Sequence, residues 1–300
     1  MKTINLSDPE KSDIEITISK FPDGQQDVVI NTMYRKMKIT SWDEESFTIK
    51  SKFNSFRDLE LIICAVKALR RLKVKEIHLY VPYLLGARGD RQFIEGGTSY
   101  LVDVIAPIIN SLNFESVTVL DVHSDVAAAC INNLNVISNE YLVKNALFSI
   151  YANNNESNKF LSDCIFVSPD SGALKKVYKI ADAVKYNREV IVCSKSRDED
   201  GNLSRVEVPI TNKHNAKDLI IIDDICDGGA TFINIAKVIR NNMSFRGKIY
   251  LIVTHGIFSK GLKELAKYFD KIYTTDSIRS DFDWEQKERE PVNLVEIIHV

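Results

Sequence analysis

At 300 residues, with 45% hydrophobic, 27% charged and 9% aromatic side chains, the chain is long enough for two ordinary domains and has the composition of a soluble globular protein. Its formal charge of −2 supplies no global field to draw in DNA, RNA or an anionic membrane, so an anionic ligand must be met by local Lys and Arg, backbone N–H groups or a metal. The opening MKTINLSDPEKSD lacks the apolar core of a secretory signal, and no run approaches the roughly 18 apolar residues of a membrane span. The cysteines at 64, 130, 164, 193 and 226 are scattered, odd in number and without a CxxC pair, which speaks against zinc or a disulfide framework and for a cytoplasmic protein.

Short apolar, β-branched runs recur along the chain, each followed by a polar loop and a helix-period segment. They are 76–82, 116–122, 164–169, 189–194, 219–224, 248–254 and 271–276, and their near-continuous hydrophobicity suits parallel strands buried on both faces. Helices are expected over 57–72, 97–112, 171–185, 231–242 and 259–269. This alternation implies a doubly wound α/β architecture. The stretch 20–53 differs: KFPDGQQDVVI and MKITSWDEESFTIKSKF read as antiparallel strands around turns. Residues 151–160, YANNNESNKF, are polar and Asn-rich and mark a domain boundary or a surface loop.

In open α/β sheets, ligands sit at the carboxyl ends of the strands, and here those ends carry charge and glycine. Residues 219–231, LIIIDDICDGGAT, run from a buried strand through Asp223, Asp224 and Asp227 to Gly228, Gly229, Ala230 and Thr231, where a helix begins. The glycines allow a tight turn that points N–H groups inward, and Thr231 is expected to cap the helix, whose N-terminus favours an anion. Carboxylates beside a phosphate cradle make sense if they accept from two ribose hydroxyls or bind a hydrated magnesium ion. One Asp would suit an ordinary strand–turn–helix junction; three with a Gly-Gly turn point to a site. The segment resembles the phosphoribosyl-diphosphate loop of the type I phosphoribosyltransferases, with Gly228-Gly229-Ala230 departing from the usual Thr-Gly or Ser-Gly pair.

Further segments each end or follow a strand and extend the resemblance to the ribose-phosphate pyrophosphokinase family. VSPDSGA (167–173) resembles that family's VSPDxGG pyrophosphate loop, with Ala173 in place of the second glycine. DVHS (121–124) resembles its DLH signature, which implies that His123 lies near the ATP phosphates and magnesium, with Asp170 of the VSPDSGA loop the other metal residue. PYLLGARGDR (82–91) resembles the PYxxYARQDR segment, implying ATP contacts from Arg88, Asp90 and Arg91, with Gly89 for the glutamine. FPDGQ (21–25) is similar to the adenine-contact loop, implying that Phe21 stacks on the base and Asp23 and Gln25 hydrogen-bond to it, Gln25 replacing a glutamate. Lys195-Ser196-Arg197 resembles the KxR catalytic loop, and THGIFS (254–259) matches THGxFS, a segment expected to serve packing.

These motifs stand in family order from residue 21 to 259. The resemblance implies two similar doubly wound, mostly parallel-sheet, phosphoribosyltransferase-like domains, over 1–145 and 146–276, with 277–300 packing back on the first. It implies Mg2+, ATP and ribose 5-phosphate, and pyrophosphoryl transfer giving phosphoribosyl diphosphate and AMP, with Lys195, Arg197 and His123 catalytic. It further implies a homo-oligomer, dimer or hexamer, in which the Phe21 loop reaches a neighbouring subunit's site, with no nucleic acid or membrane partner. The departures at Gln25, Gly89, Ala173 and Gly228 leave a catalytically silent, synthetase-associated protein as an alternative, and the 219–231 loop alone would suit a nucleobase phosphoribosyltransferase. No GxxxxGK[ST], GxGxxG or HExxH motif occurs.

Overall fold

The computed structural model describes residues 1–32, 41–151, 163–197, 203–279 and 294–300, with 197 and 203–205 described by backbone alone, and the chain divides into two compact units, Met1–Ile137 and Ser138–Val300.

In the first unit, β1 (Lys2–Asn5) leads through a single turn at Pro9–Lys11 into a hairpin of β2 (Ile16–Lys20) and β3 (Gln26–Ile30). The sheet then takes β4 (Ser46–Lys50), β5 (Glu76–Tyr80), β6 (Ser116–Leu120) and β7 (Leu134–Ile137), in the order β1-β4-β5-β6-β7, every neighbour parallel. Between β4 and β5 lies α1 (Phe56–Arg71). It starts on a reciprocal cap, in which the Ser55 hydroxyl accepts from the Asp58 N–H and the Asp58 carboxylate accepts from the Ser55 N–H at 2.8 Å. Its Leu59, Ile62, Val66 and Leu69 recur at helical spacing and are buried. A π-helical turn, Leu101–Ile105, runs directly into α2 (Ala106–Ser111). α3 (Val126–Cys130) joins β6 to β7.

The second unit opens with α4 (Glu140–Tyr151), which buries Leu142, Val143, Ala146 and Leu147 in one hydrophobic cluster with Ile252 and Tyr273. Its sheet is built from β8 (Cys164–Ser168), β9 (Val190–Val192), β12 (Asp218–Cys226), β13 (Ile249–Gly256), β14 (Lys271–Thr275) and β15 (Val295–Ile298). The spatial order is β15-β14-β13-β12-β8-β9, all parallel. Every residue of β13 is buried, as a central parallel strand covered on both faces requires. α5 (Leu174–Ala183) follows β8 and α6 (Ala230–Arg240) follows β12, while β10 (Ser194–Arg197) and β11 (Leu203–Glu207) form a separate antiparallel ribbon.

The α/β fold with parallel sheets is therefore present in both units, and three expectations need correction. The second antiparallel segment, 37–53, instead supplies β4, a parallel strand with Phe47 and Ile49 fully buried. The division falls at 137/138, not 145/146, because the apolar face of α4 packs on the second sheet; the Asn-rich stretch lies almost wholly outside the described residues. The described end of 277–300, Val295–Ile298, pairs with β14 as an edge strand of the second sheet. Finally, 259–269 contains one short turn, Leu265–Lys267, instead of a helix. Phe258 and Gly261 take positive φ values of 46° and 77°, and the N–H groups of Ile257, Phe258 and Ser259 are spent on carbonyls of Cys226 and Asp227.

Candidate active site

In the second unit the chain leaves β8 for β9 on one side and returns to β12 on the other. This reversal is a topological switch point, where the carboxyl ends of adjacent strands leave a crevice. The loops that open there are VSPDSGA and DDICDGGAT. The first is held by its own side chains: the Ser168 hydroxyl donates to the Asp170 carbonyl at 2.7 Å, and the Ala173 N–H donates to the Asp170 carboxylate at 3.0 Å. Ala173 has φ −76°, so the position expected to hold a second glycine needs no left-handed backbone. Lys195, on the ribbon strand β10, sets its ammonium 2.5 Å from the other Asp170 oxygen. Burial by itself would raise the Asp170 carboxyl, but the Lys195 ammonium and the N–H groups of Ala173 and Gly172 together hold it below the usual carboxylate value. Arg197 follows on the same strand, and its side chain lies outside the described residues.

The second loop has a different balance. Asp224 is 4% exposed and faces the Lys176 ammonium of α5 at 3.5 Å. Asp223 is pushed well above the carboxylate range, first by burial and then by the Asp224 charge beside it. Two adjacent acids of this kind suit a partner that donates hydrogen bonds or carries positive charge. Gly229, at φ +78°, is the residue before α6, so the helix begins at Ala230 and Thr231 lies inside its first turn. Thr231 is therefore not the cap that the sequence predicts; the left-handed turn at Gly229 takes that place. The Asp227 carboxylate accepts from the Ser259 hydroxyl at 2.6 Å and its carbonyl from the Ser259 N–H at 3.2 Å, which staples the loop to the turn after β13.

A Cβ on Gly229 would lie 3.2 and 3.4 Å from the Leu265 methyls, in addition to the unfavourable φ. Gly229→Ala is accordingly expected to distort this turn and to weaken binding of an anionic ligand at the start of α6 by roughly tenfold, as a misplaced first turn costs a few hydrogen bonds. Unchanged affinity by calorimetry would remove the turn from the binding site.

In the first unit, β5 and β6 are parallel neighbours, which brings the loops PYLLGARGDR and DVHS to the same end of the sheet. Asp121 has φ 43° and donates its N–H to the Ile137 carbonyl, so the chain turns sharply after β6 and leaves His123 exposed. The next hydroxyl, Ser124 Oγ, is buried without a hydrogen-bond partner among the described residues. Arg88 and Arg91 are exposed, Asp90 is half-buried, and the Arg91 guanidinium lies 5.2 Å from the Phe93 ring centre. Gly89 has a local reason: a Cβ there would come 3.0 Å from Tyr100 Cβ, so Tyr100 takes the space of a longer side chain. The FPDGQ segment is the turn between β2 and β3. Phe21 and Gln25 are exposed, and the Asp23 carboxylate accepts from the Gln25 N–H at 3.1 Å.

Sequence reasoning gave no site role to Lys176, which faces Asp224, to Ser259, which bonds Asp227, or to Lys260, which lies along Gly228. Lys176 had a usable signal, being one turn into the helix after the Asp170 loop. The other two follow a strand whose place beside β12 is a property of the sheet alone.

These two parallel sheets, with acidic and glycine loops at the switch point of the second, define a phosphoribosyltransferase-type α/β protein. No protein-family model matches the chain. It is 24% identical over 274 residues to a ribose-phosphate pyrophosphokinase from Pyrococcus abyssi, covering 89% of this chain and 86% of that one. It is 25% identical over 268 residues to one from Vibrio cholerae, covering 88% and 79%. In fold it matches the phosphoribosylpyrophosphate synthetase from Mycobacterium smegmatis, with a TM-score of 0.75 and 16% identity over 100% of this chain and 95% of that one. Over most of its length the chain is thus similar to ribose-phosphate pyrophosphokinases.

Proposed function

We propose that the protein transfers the pyrophosphoryl group of ATP to the 1-hydroxyl of ribose 5-phosphate, giving phosphoribosyl diphosphate and AMP. The observation that carries the reading is the meeting of Asp170, Lys195 and the Asp223–Gly229 loop at one switch point, in a chain similar over most of its length to pyrophosphokinases. A nucleobase phosphoribosyltransferase needs only the last of these loops.

In this reading Asp223 and Asp224 accept from the ribose 2- and 3-hydroxyls. The N–H groups of Gly228, Gly229, Ala230 and Thr231 hold the 5-phosphate at the start of α6. The ribose 1-oxygen attacks the β-phosphorus of ATP, the bond from that phosphorus to the α,β-bridging oxygen breaks, AMP leaves, and the hydroxyl proton passes to solvent or a nearby base. Such a transfer depends on positioning and on neutralising charge spread over the moving oxygens. Lys195 and Arg197 on the β10–β11 ribbon supply that charge, and Phe21, Asp23, Gln25, Arg88, Asp90 and Arg91 bind ATP, with His123 beside its phosphates. Magnesium, when bound, would offset the charge of the phosphates. Asp170 in the second unit and His123 in the first are the protein groups proposed for the ion, each completed by substrate phosphates and water. The working form is a dimer or hexamer in which the exposed Phe21 turn reaches a neighbouring subunit's site.

The test is release of AMP from ATP at ample magnesium, with and without ribose 5-phosphate. Ribose-5-phosphate-dependent AMP is the expected result; its absence with every pentose phosphate would overturn the proposal. No helix among the described residues is long and apolar enough to cross a membrane.

A further inference from the structure

We infer that Lys260 is a ligand of the 5-phosphate, doing with a side-chain ammonium what a side chain at position 228 would otherwise do. The inference rests on the proposed ribose 5-phosphate site and deepens it.

Gly228 needs no left-handed backbone, since the positive φ of this turn belongs to Gly229, so its lack of a side chain calls for another reason. The reason is a neighbour. A Cβ built on Gly228 would meet Lys260 Cδ at 3.2 Å, Cε at 3.3 Å and Cγ at 3.4 Å, so the lysine stem lies along the glycine. The ammonium is one C–N bond, about 1.5 Å, beyond Cε. The ammonium thus lies one bond from a carbon that runs beside Gly228, the residue before the left-handed turn at Gly229.

The stem is held there by the chain on either side. Ser259 bonds Asp227 through both its hydroxyl and its N–H, Phe258 is 1% exposed, and Leu265 packs against Gly229. One segment, 258–265, thus wraps both glycines of the loop.

Charge argues the same way. The loop carries Asp223, Asp224 and Asp227, and a phosphate adds further negative charge. Two nearby lysines already face carboxylates: Lys176 faces Asp224 and Lys195 faces Asp170. Lys260 is exposed and makes no hydrogen bond or ion pair among the described residues. A lysine stem lying along a glycine of the proposed phosphate turn, with an exposed head, fits a dianion better than it fits a solvated surface.

The test is calorimetric titration of the full-length protein with ribose 5-phosphate and with ribose, comparing wild type, Lys260→Met and Lys260→Arg. Lys260→Met keeps the stem and removes the charge; it is expected to weaken ribose 5-phosphate at least tenfold, to leave ribose unchanged, and to flatten the salt dependence, while Lys260→Arg retains most affinity. A second pair of variants addresses the space itself. Gly228→Thr alone should impair binding by displacing the stem, and Gly228→Thr with Lys260→Gly should recover part of the loss, a coupling a merely structural lysine would not give. Wild-type affinity in Lys260→Met overturns the inference alone. Failure of the wild type to bind ribose 5-phosphate overturns the proposed function and this inference with it.

Discussion

Replacing Lys195 by alanine is expected to lower turnover by about two to three decades, the usual consequence of removing one preorganised donor to transferring oxygens. The fold should survive at neutral pH, because Asp170 keeps the N–H groups of Ala173 and Gly172 and stays partly open to water. The same variant has a second readout at Asp170. Without the ammonium, burial is opposed only by the N–H groups of Ala173 and Gly172, so the carboxyl should titrate at a higher pH than in the wild type. In the intact protein the depressed Asp170 adds stability that is present above the ordinary carboxylate range, about pH 4, and is lost as pH falls through its folded value. Acid unfolding of Lys195→Ala should therefore begin at higher pH. Coupled AMP detection and acid titration followed by circular dichroism check the two parts. Turnover within threefold of wild type would remove Lys195 from the reaction.

Gly256→Ala is expected to be the most damaging single methyl at the site, destabilising the chain by about 3 kcal/mol, at the upper end for overpacking. Gly256 ends β13 with no positive φ, so its requirement is space. A Cβ would lie 2.3 and 2.9 Å from the Phe258 ring and 2.8 Å from Thr274 Oγ1. Neither neighbour can retreat: Phe258 is buried with φ 46°, and Thr274 is fully buried within β14. The strain reaches the ligand loop, because Gly256 is paired with Cys226, whose carbonyl accepts from Ile257 and Phe258. Along with the stability loss, kcat/KM for ribose 5-phosphate should fall ten- to a hundredfold, roughly the effect of a sub-ångström to ångström displacement. Chemical denaturation and steady-state kinetics measure both; a stable variant with wild-type kinetics would show that β13 can shift freely beside the loop.

THGIFS shows how far residue-by-residue reading reaches. As a string it promised packing, and Gly256 and Phe258 do pack. Its last residue, Ser259, also bonds Asp227, and the following Lys260 covers Gly228, which follows only once β13 lies beside β12. The expected helix over 259–269 fails for a related cause: Ser259 is tied to Asp227 and the chain takes a positive φ at Gly261, which interrupts a helix there. Likewise, Ala173 and Gly228 look like paired losses against the family pattern, yet one needs no special backbone and the other makes room for a lysine.

By itself the sequence determined the parallel α/β class, the buried strands and the loops that carry Asp170, Lys195, Asp223 and Asp224. Strand hydrophobicity and turn chemistry are local properties, set by burial on two faces and by allowed φ and ψ. Only the tertiary structure decided the unit boundary, the parallel place of β4, the edge position of β15, and the packing of Lys260 on Gly228. Strand order and the contact of one loop with another arise from pairing between segments distant in the chain. No local periodicity encodes which strands will be neighbours.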